Sequence, residues 1–294
     1  MKNKNKAATG RLLLIITTMI WGSSFVILKQ TLDSITPMWV LAIRFAGATV
    51  LLLLMSLPRL KKLDMGYIKR GAIMGLFLAL SYIVQTYGLV YTTPGKNAFL
   101  TATYCVLVPF IYWAVAGKKP DRYNIAAAFI CIIGMGFVCL HGTISVNLGD
   151  ALSMICGIFY ALHIIATSRS VEDCDPMLLT MLQFFFGGVI CFIGAAIFEP
   201  VPHDIPGSAW LSIAYLTFIC TGLCFLMQTI GQKFTPASQA SVILTLESVF
   251  GTAISLALGA EKLTAGTALG FALIFIAILT SETKLSFLRK RQTE

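Results

Sequence analysis

Apolar runs of roughly 20 residues, separated by short polar breaks, recur along the chain. A run of that length, coiled as an α-helix, matches the hydrocarbon thickness of a bilayer. Ten such runs are readable, at roughly 12–31, 37–57, 70–91, 97–116, 122–141, 150–169, 177–198, 208–230, 237–258 and 265–284. Within a bilayer every backbone polar group must be satisfied internally, so each run is expected to be a helix. Composition agrees. Of 294 residues, 57% are hydrophobic and 12% charged, with a mean hydropathy of +0.84. Soluble domains carry about 25% charged residues. The expectation is an all-α integral membrane protein of ten transmembrane helices.

Net charge is +9, which in a soluble protein would suggest nucleic acid. Here the placement of the charge decides. With the N-terminus in the cytoplasm, 18 of the 22 basic residues fall on the cytoplasmic side. Only Lys29, Lys96 and Lys262 fall outside, and Arg44 lies within a span. That asymmetry follows the positive-inside rule. It predicts a multi-pass protein of the plasma (inner) membrane with both termini cytoplasmic, and no nucleic-acid partner. The basic start MKNKNK and the apolar run after it lack a small-residue cleavage site, so the first run reads as a retained helix. The acidic stretch Val171–Asp175 falls on the cytoplasmic side, where acids count little for orientation.

The chain also repeats itself. A shift of 139 residues lays Gly10 on Gly149, Trp21 on Tyr160, Pro37-Met38 on Pro176-Met177 and Phe45 on Phe184. A shift of 142–143 lays Gln85 on Gln228, Gly88 on Gly231, Pro94 on Pro236 and Thr103 on Thr245. The expected units are residues 1–145 and 146–294, each of five helices. Five is odd, so the second unit enters the membrane from the opposite side, giving inverted repeats. Two like halves of opposite orientation can exchange conformations, turning an outward opening into an inward one.

The combination of ten spans, a five-plus-five repeat and three short motifs resembles the EamA-type drug/metabolite transporter superfamily. The motifs are Trp21-Gly22 with Phe25, Pro37 with Arg44-Phe45, and Leu246-Glu247 with Val249-Phe250. The resemblance covers about residues 10–284. It implies export or exchange of amino acids and other small metabolites. One departure stands out: many relatives carry proline after that glutamate, where this chain has Ser248. The kink that a proline would impose there therefore loses its usual cause.

Polar residues inside the spans point to a site. Glu247 lies ten residues into its span, about 15 Å deep at 1.5 Å per residue. An acid there costs roughly 2.5–3.5 kcal/mol on insertion scales and is too short to reach either interface. It must face protein or water. Glu247, Gly251, Ser255 and Gly259 recur every fourth residue and form one stripe. A cavity-facing carboxylate for cargo or a proton is one outcome; a buried helix contact is the other. Arg44, about 10 Å deep, either bonds loop and helix-end carbonyls or pairs with a carboxylate, on Glu247 or on cargo. An adjacent Arg44 would hold Glu247 ionised, whereas a distant one would leave it free to trade a proton for a cationic cargo group.

Gln85 and Gln228 are repeat mates, and Tyr160 and His163 share a helix face and match Trp21 and Ser24 in the repeat. Stacking, cation–π contact and hydrogen bonds from such groups can hold a polar organic molecule. The expected substrate-binding set is Glu247, Gln85, Gln228, Tyr160, His163, Trp21 and Arg44, with interhelical bonding the competing role for the glutamines and a satisfied core histidine for His163. Lys96 reads as an interfacial anchor and His141 as an interfacial side chain. The eight cysteines show no ligand spacing and read as small buried thiols.

No Walker A, G-x-G-x-x-G, H-E-x-x-H or G-x-S-x-G motif occurs. The expectation is a secondary transporter, not an enzyme, with no cofactor and no metal. Its partners would be a small-molecule substrate, membrane lipid and protons as a coupling ion, in a monomer or weak homodimer. Amino acids or related amines come first as cargo. Cationic drugs and nucleoside- or vitamin-like solutes are the alternative, and an intramembrane enzyme or a membrane scaffold are the remote rivals.

Overall fold

The computed structural model describes residues 2–117, 119–139, 147–257 and 264–283. His141, Gly259 and Lys262 lie outside the described residues. The chain begins with α1 (Lys2–Thr31), α2 (Pro37–Ser56), a short 3₁₀ turn (Leu57–Lys62) and α3 (Met65–Tyr91). Then come α4 (Pro94–Thr101), α5 (Tyr104–Ala116) and α6 (Arg122–Cys139). The second half holds α7 (Leu148–Ser170), α8 (Pro176–Phe198) and α9 (Gly207–Ala214), which passes through a π-helical stretch (Tyr215–Leu223) into α10 (Cys224–Phe234). α11 (Ala237–Leu244), α12 (Leu246–Ala257) and α13 (Ala265–Thr283) complete it. The described residues contain no strand.

Seven helical segments are long and apolar enough to cross a membrane, and two shorter apolar helices lie at 122–137 and 268–281. Large apolar side chains such as Leu54, Ile197 and Leu211 point outwards, as a lipid solvent permits, while Leu14, Phe45, Phe184 and Phe225 fill the interior. Sequence signals mark the helix starts. Proline opens α2, α4 and α8, where its missing N–H costs nothing. Asn147 and Asp150 cap α7 reciprocally.

Tight crossings organise the bundle. α1 packs on α10 and α12, α7 on α3, α4 and α5, α2 on α8, and α6 on α13. At the first crossing a Cβ on Gly10 would sit 2.9 Å from the carbonyl oxygen of Gly231. At the second, a Cβ on Gly149 would sit 2.6 Å from the carbonyl oxygen of Gly88. Only glycine lets these backbones approach so closely. The stripe that begins at Glu247 continues in Gly251, which lies against Gly22 of α1.

Two helical segments are broken. α4 gives way to α5 at Ala102–Thr103, and α11 to α12 at Thr245. So the segment carrying Glu247 breaks without a proline, two residues before the acid. A threonine sits at each break. Thr103 donates its hydroxyl to Leu100 O at 2.7 Å and Thr245 to Val242 O at 2.6 Å. That back-bonding competes with the helical ladder. Just beyond, the backbone tightens to three-residue spacing, with Val106 N on Thr103 O and Ser248 N on Thr245 O.

Charged clasps close the two ends. On one, Lys96 pairs with Asp150 at 2.9 Å, and Lys29 donates to the carbonyls of Leu89 and Val90 at the end of α3. On the other, Arg59 pairs with Asp175 at 3.2 Å and Arg70 with Asp173 at 3.4 Å. The stretch from Val171 to Asp175 thus serves as a set of acceptors for basic side chains from α3 and the turn before it. Seven cysteines are free and buried.

Candidate functional site

The two breaks meet around one narrow interior cavity of about 30 Å³. Trp21 and Ser24 reach it from α1, Arg44 from α2, Tyr82 and Gln85 from α3, and Tyr160 from α7. Gln228 comes from α10, while Tyr104 and Glu247 come from the first turns of the half-helices α5 and α12. Phe25, Leu28, Ile164 and Leu244 supply apolar wall. A few convergent polar groups on an apolar and aromatic wall are the usual make-up of a small-molecule site.

Arg44 is 2% exposed and Glu247 6%. Both charges face the cavity, yet no ion pair joins them within the described residues. Arg44 donates Nε to Thr221 Oγ1 at 3.1 Å and lays its guanidinium carbon 5.1 Å from the centre of the Tyr82 ring. Its two terminal nitrogens have no hydrogen-bond partner among the described residues. The π-helical stretch makes the Thr221 contact: Thr221 in turn donates to Leu216 O, five residues back, at 2.8 Å. Cys220 O, in the same stretch, accepts from Trp21 Nε1 at 2.7 Å. Glu247 accepts one long hydrogen bond, from Tyr104 Oη to Oε1 at 3.5 Å.

The amides differ. Gln85 is fully engaged: Nε2 donates to Thr101 Oγ1 at 3.2 Å and Oε1 accepts from Tyr160 at 3.3 Å. Gln228 donates Nε2 to Gln232 Oε1 at 3.2 Å, but its own Oε1 is buried without a partner. An unsatisfied buried acceptor is costly unless something donates to it. Aromatic rings form an unbroken chain beside these groups. Centroid separations are 4.9 Å for Trp21–Phe225, 5.8 Å for Phe225–Tyr82, 5.8 Å for Tyr82–Tyr160 and 6.2 Å for Tyr160–Tyr104.

Of the seven residues singled out from the sequence, six line this cavity: Glu247, Gln85, Gln228, Tyr160, Trp21 and Arg44. His163 does not. It turns behind the lining, bonds Gln183 Oε1 through Nε2 at 2.8 Å and packs edge-on against Phe225. Sequence reading missed Tyr82, Tyr104 and Thr221. Two of them had a signal. Tyr82 precedes Gln85 by three residues and shares its helix face, and Tyr104 follows the repeated Thr103. Thr221 had none, because a π-helical turn leaves no mark in apolar periodicity.

A multi-span helical chain with a buried, charged, aromatic-walled cavity at its breaks defines the class of membrane transporters. The comparisons agree. The EamA-like transporter family matches residues 8–140 and again 147–282. The chain belongs to that family. Among its relatives is an uncharacterized transporter of Archaeoglobus fulgidus, 34% identical over 268 residues, covering 90% of this chain and 83% of the relative. The uncharacterized transporter YyaM of Bacillus subtilis is 25% identical over 288 residues, covering 92% of both chains. A solved crystal structure shares the fold at a TM-score of 0.78 with 16% identity, covering 95% of this chain and 98% of its own.

Proposed function

We propose that this chain is a secondary transporter that exports or exchanges small polar organic metabolites across the plasma membrane, with zwitterionic amino acids and related amines as first candidates. One observation carries the proposal. Arg44 and Glu247 line a single cavity, are both buried, and leave each other unpaired. Isolated buried charges are expensive, so each requires a counter-charge from elsewhere. A solute bearing a carboxylate and an ammonium group provides both. The terminal nitrogens of Arg44 suit a planar carboxylate, Glu247 suits an ammonium, and Gln228 Oε1 suits a second donor. The aromatic chain from Trp21 to Tyr104 suits the remaining apolar or cationic bulk.

Alternating access follows from ten spans in two inverted units, residues 1–145 and 146–294, with both termini cytoplasmic. The duplicated packing supports this arrangement. The Gly10–Gly231 crossing of α1 with α10 and the Gly149–Gly88 crossing of α7 with α3 join residues that are repeat mates of one another. The threonine breaks at Thr103 and Thr245 are repeat mates as well. Broken helices at a midplane site are the usual means by which carriers of inverted repeats bind solute. The clasps Lys96–Asp150 and Arg59–Asp175 are suited to open in turn as the halves rock. With Arg44 engaged elsewhere, Glu247 is available to exchange a proton for the cationic end of the cargo.

Purified protein in liposomes, assayed for counterflow of labelled amino acids, amines, cationic dyes and nucleosides, tests this. Saturable flux of a zwitterion or amine is the expected result. Flux of nucleosides or permanent cations alone would transfer the site to the alternative cargo, and no solute flux would remove the transporter mechanism.

A further inference from the structure

A second cavity lies away from the central one, at the end of the bundle that carries Arg59, Arg70 and Lys233. It is an open cleft of about 520 Å³ between α3, α5 and α7. Its walls are apolar: Ile73, Phe77, Val115, Leu162 and Ile165. Its rim is charged, with Arg70, Arg169, Glu172 and Asp173. The wall and the rim are in register. Leu162 lies seven residues before Arg169 on α7, and Phe77 seven after Arg70 on α3, each about 10 Å deeper into the membrane.

The rim is only half paired. Arg70 donates to Cys174 Sγ at 2.9 Å and to Asp173 Oδ2 at 3.4 Å. Arg169 and Glu172 are both exposed and form no ion pair or side-chain hydrogen bond among the described residues. One free cation and one free anion therefore stand three residues apart at the mouth of an apolar slot. Water alone would satisfy the two charges but would leave the slot's walls wet. An amphiphile with two opposite headgroup charges satisfies both regions at once.

We propose that this cleft is a binding site for a zwitterionic aminophospholipid of the adjacent leaflet, with its phosphate on Arg169, its primary ammonium on Glu172 and an acyl chain along Phe77 and Leu162. Guanidinium and phosphate match in geometry. A primary ammonium can donate hydrogen bonds to Glu172, which a quaternary choline cannot. The site is separate from the central cavity and does not depend on which solute is carried.

Native mass spectrometry of the full-length protein, with phosphatidylethanolamine, phosphatidylcholine or phosphatidylglycerol added to the detergent, tests the proposal. Phosphatidylethanolamine should be retained best. Arg169→Ala should weaken it about fivefold, the worth of one basic side chain at a headgroup phosphate. Glu172→Gln should erase the preference for ethanolamine over choline while leaving phosphate-dependent binding. Both side chains are exposed, so the variants should fold, and melting temperatures without added lipid check this. Equal retention of the three lipids, a preference for phosphatidylglycerol, or undiminished retention of phosphatidylethanolamine in Arg169→Ala would overturn the proposal. So would a lipid-independent dimer that is lost on Leu162→Arg, which would give the cleft to a second copy of the chain.

Discussion

Arg44 and Glu247 face the same cavity without bonding to each other: the guanidinium takes Thr221 at 3.1 Å, and the carboxylate takes Tyr104 at 3.5 Å. Had they paired, each would have neutralised the other and the cavity would hold no net demand for a charged solute. Under the proposed function, two charges kept apart set two separate requirements on the cargo.

Replacing the carboxylate is the first test. Glu247→Gln keeps the side chain's shape and its bond with Tyr104, so fold and melting temperature should change little. Counterflow of an ammonium-bearing cargo should fall to background. Wild-type flux should vary with pH, and that variation should vanish in the variant. An unaltered pH profile in Glu247→Gln would exclude this acid as the proton site.

Arg44 should act on the other end of the cargo. Arg44→Met removes the cation while filling its space. Truncating one side of a buried charge pair costs about 2–5 kcal/mol, roughly thirtyfold or more in affinity. That loss is expected for an amino acid and not for the corresponding amine without a carboxylate. Binding of both, measured by thermal shift or scintillation proximity, should therefore separate. Equal losses would mean that Arg44 supports the cavity and does not read the cargo.

A stability effect is expected far from the cavity, at Glu199. This acid follows the last turn of α8 and caps the start of α2. Its carboxylate accepts from Thr36 Oγ1 at 2.6 Å, Met38 N at 3.0 Å, Trp39 N at 3.2 Å and Tyr87 Oη at 2.6 Å. It satisfies orphan N–H groups and the positive end of that helix. Glu199→Ala should destabilise by about 1–3 kcal/mol, seen as a lower melting temperature in detergent, with Glu199→Gln between it and wild type.

The glycine crossings should tolerate no side chain. Gly149→Val would drive its Cβ into the backbone of α3 at Gly88. Overpacking costs typically about 1–3 kcal/mol, and more when backbone must move. Loss of a monodisperse peak in size-exclusion chromatography is the expected readout. Gly95→Ala is the control, since nothing lies within 4 Å of a Cβ there. It should behave as wild type.

How much of this was readable in advance depended on what each signal measures. The solvent was readable, because hydropathy over 20 residues reports bilayer thickness and little else. The helical class followed from it, and a repeat at nearly constant offset was visible in Gly10, Gly88, Gly149 and Gly231. That Glu247 must turn inward was also readable, since a short acid at mid-depth has no other place. Where its segment breaks was not. No proline marks it: Ser248 stands where many relatives carry one, and the break lies at Thr245, three residues earlier in the chain.

Which polar groups share a cavity was decided by the tertiary structure. Tyr160 and His163 sit on one face of α7, yet Tyr160 reaches Gln85 while His163 is taken by Gln183 from α8. Helical spacing gives a residue's bearing on its own helix and says nothing of which neighbour lies there. The sequence by itself determined that this chain lives in a membrane, that it is helical and duplicated, and that two charges lie buried within it, because the free energy of transfer into lipid is local and additive along the chain. Only the tertiary structure decided that Arg44 would turn to Thr221 and leave Glu247 unpaired. That choice depends on a π-helical turn 177 residues away in the chain, and side-chain pairing is a property of distances in space.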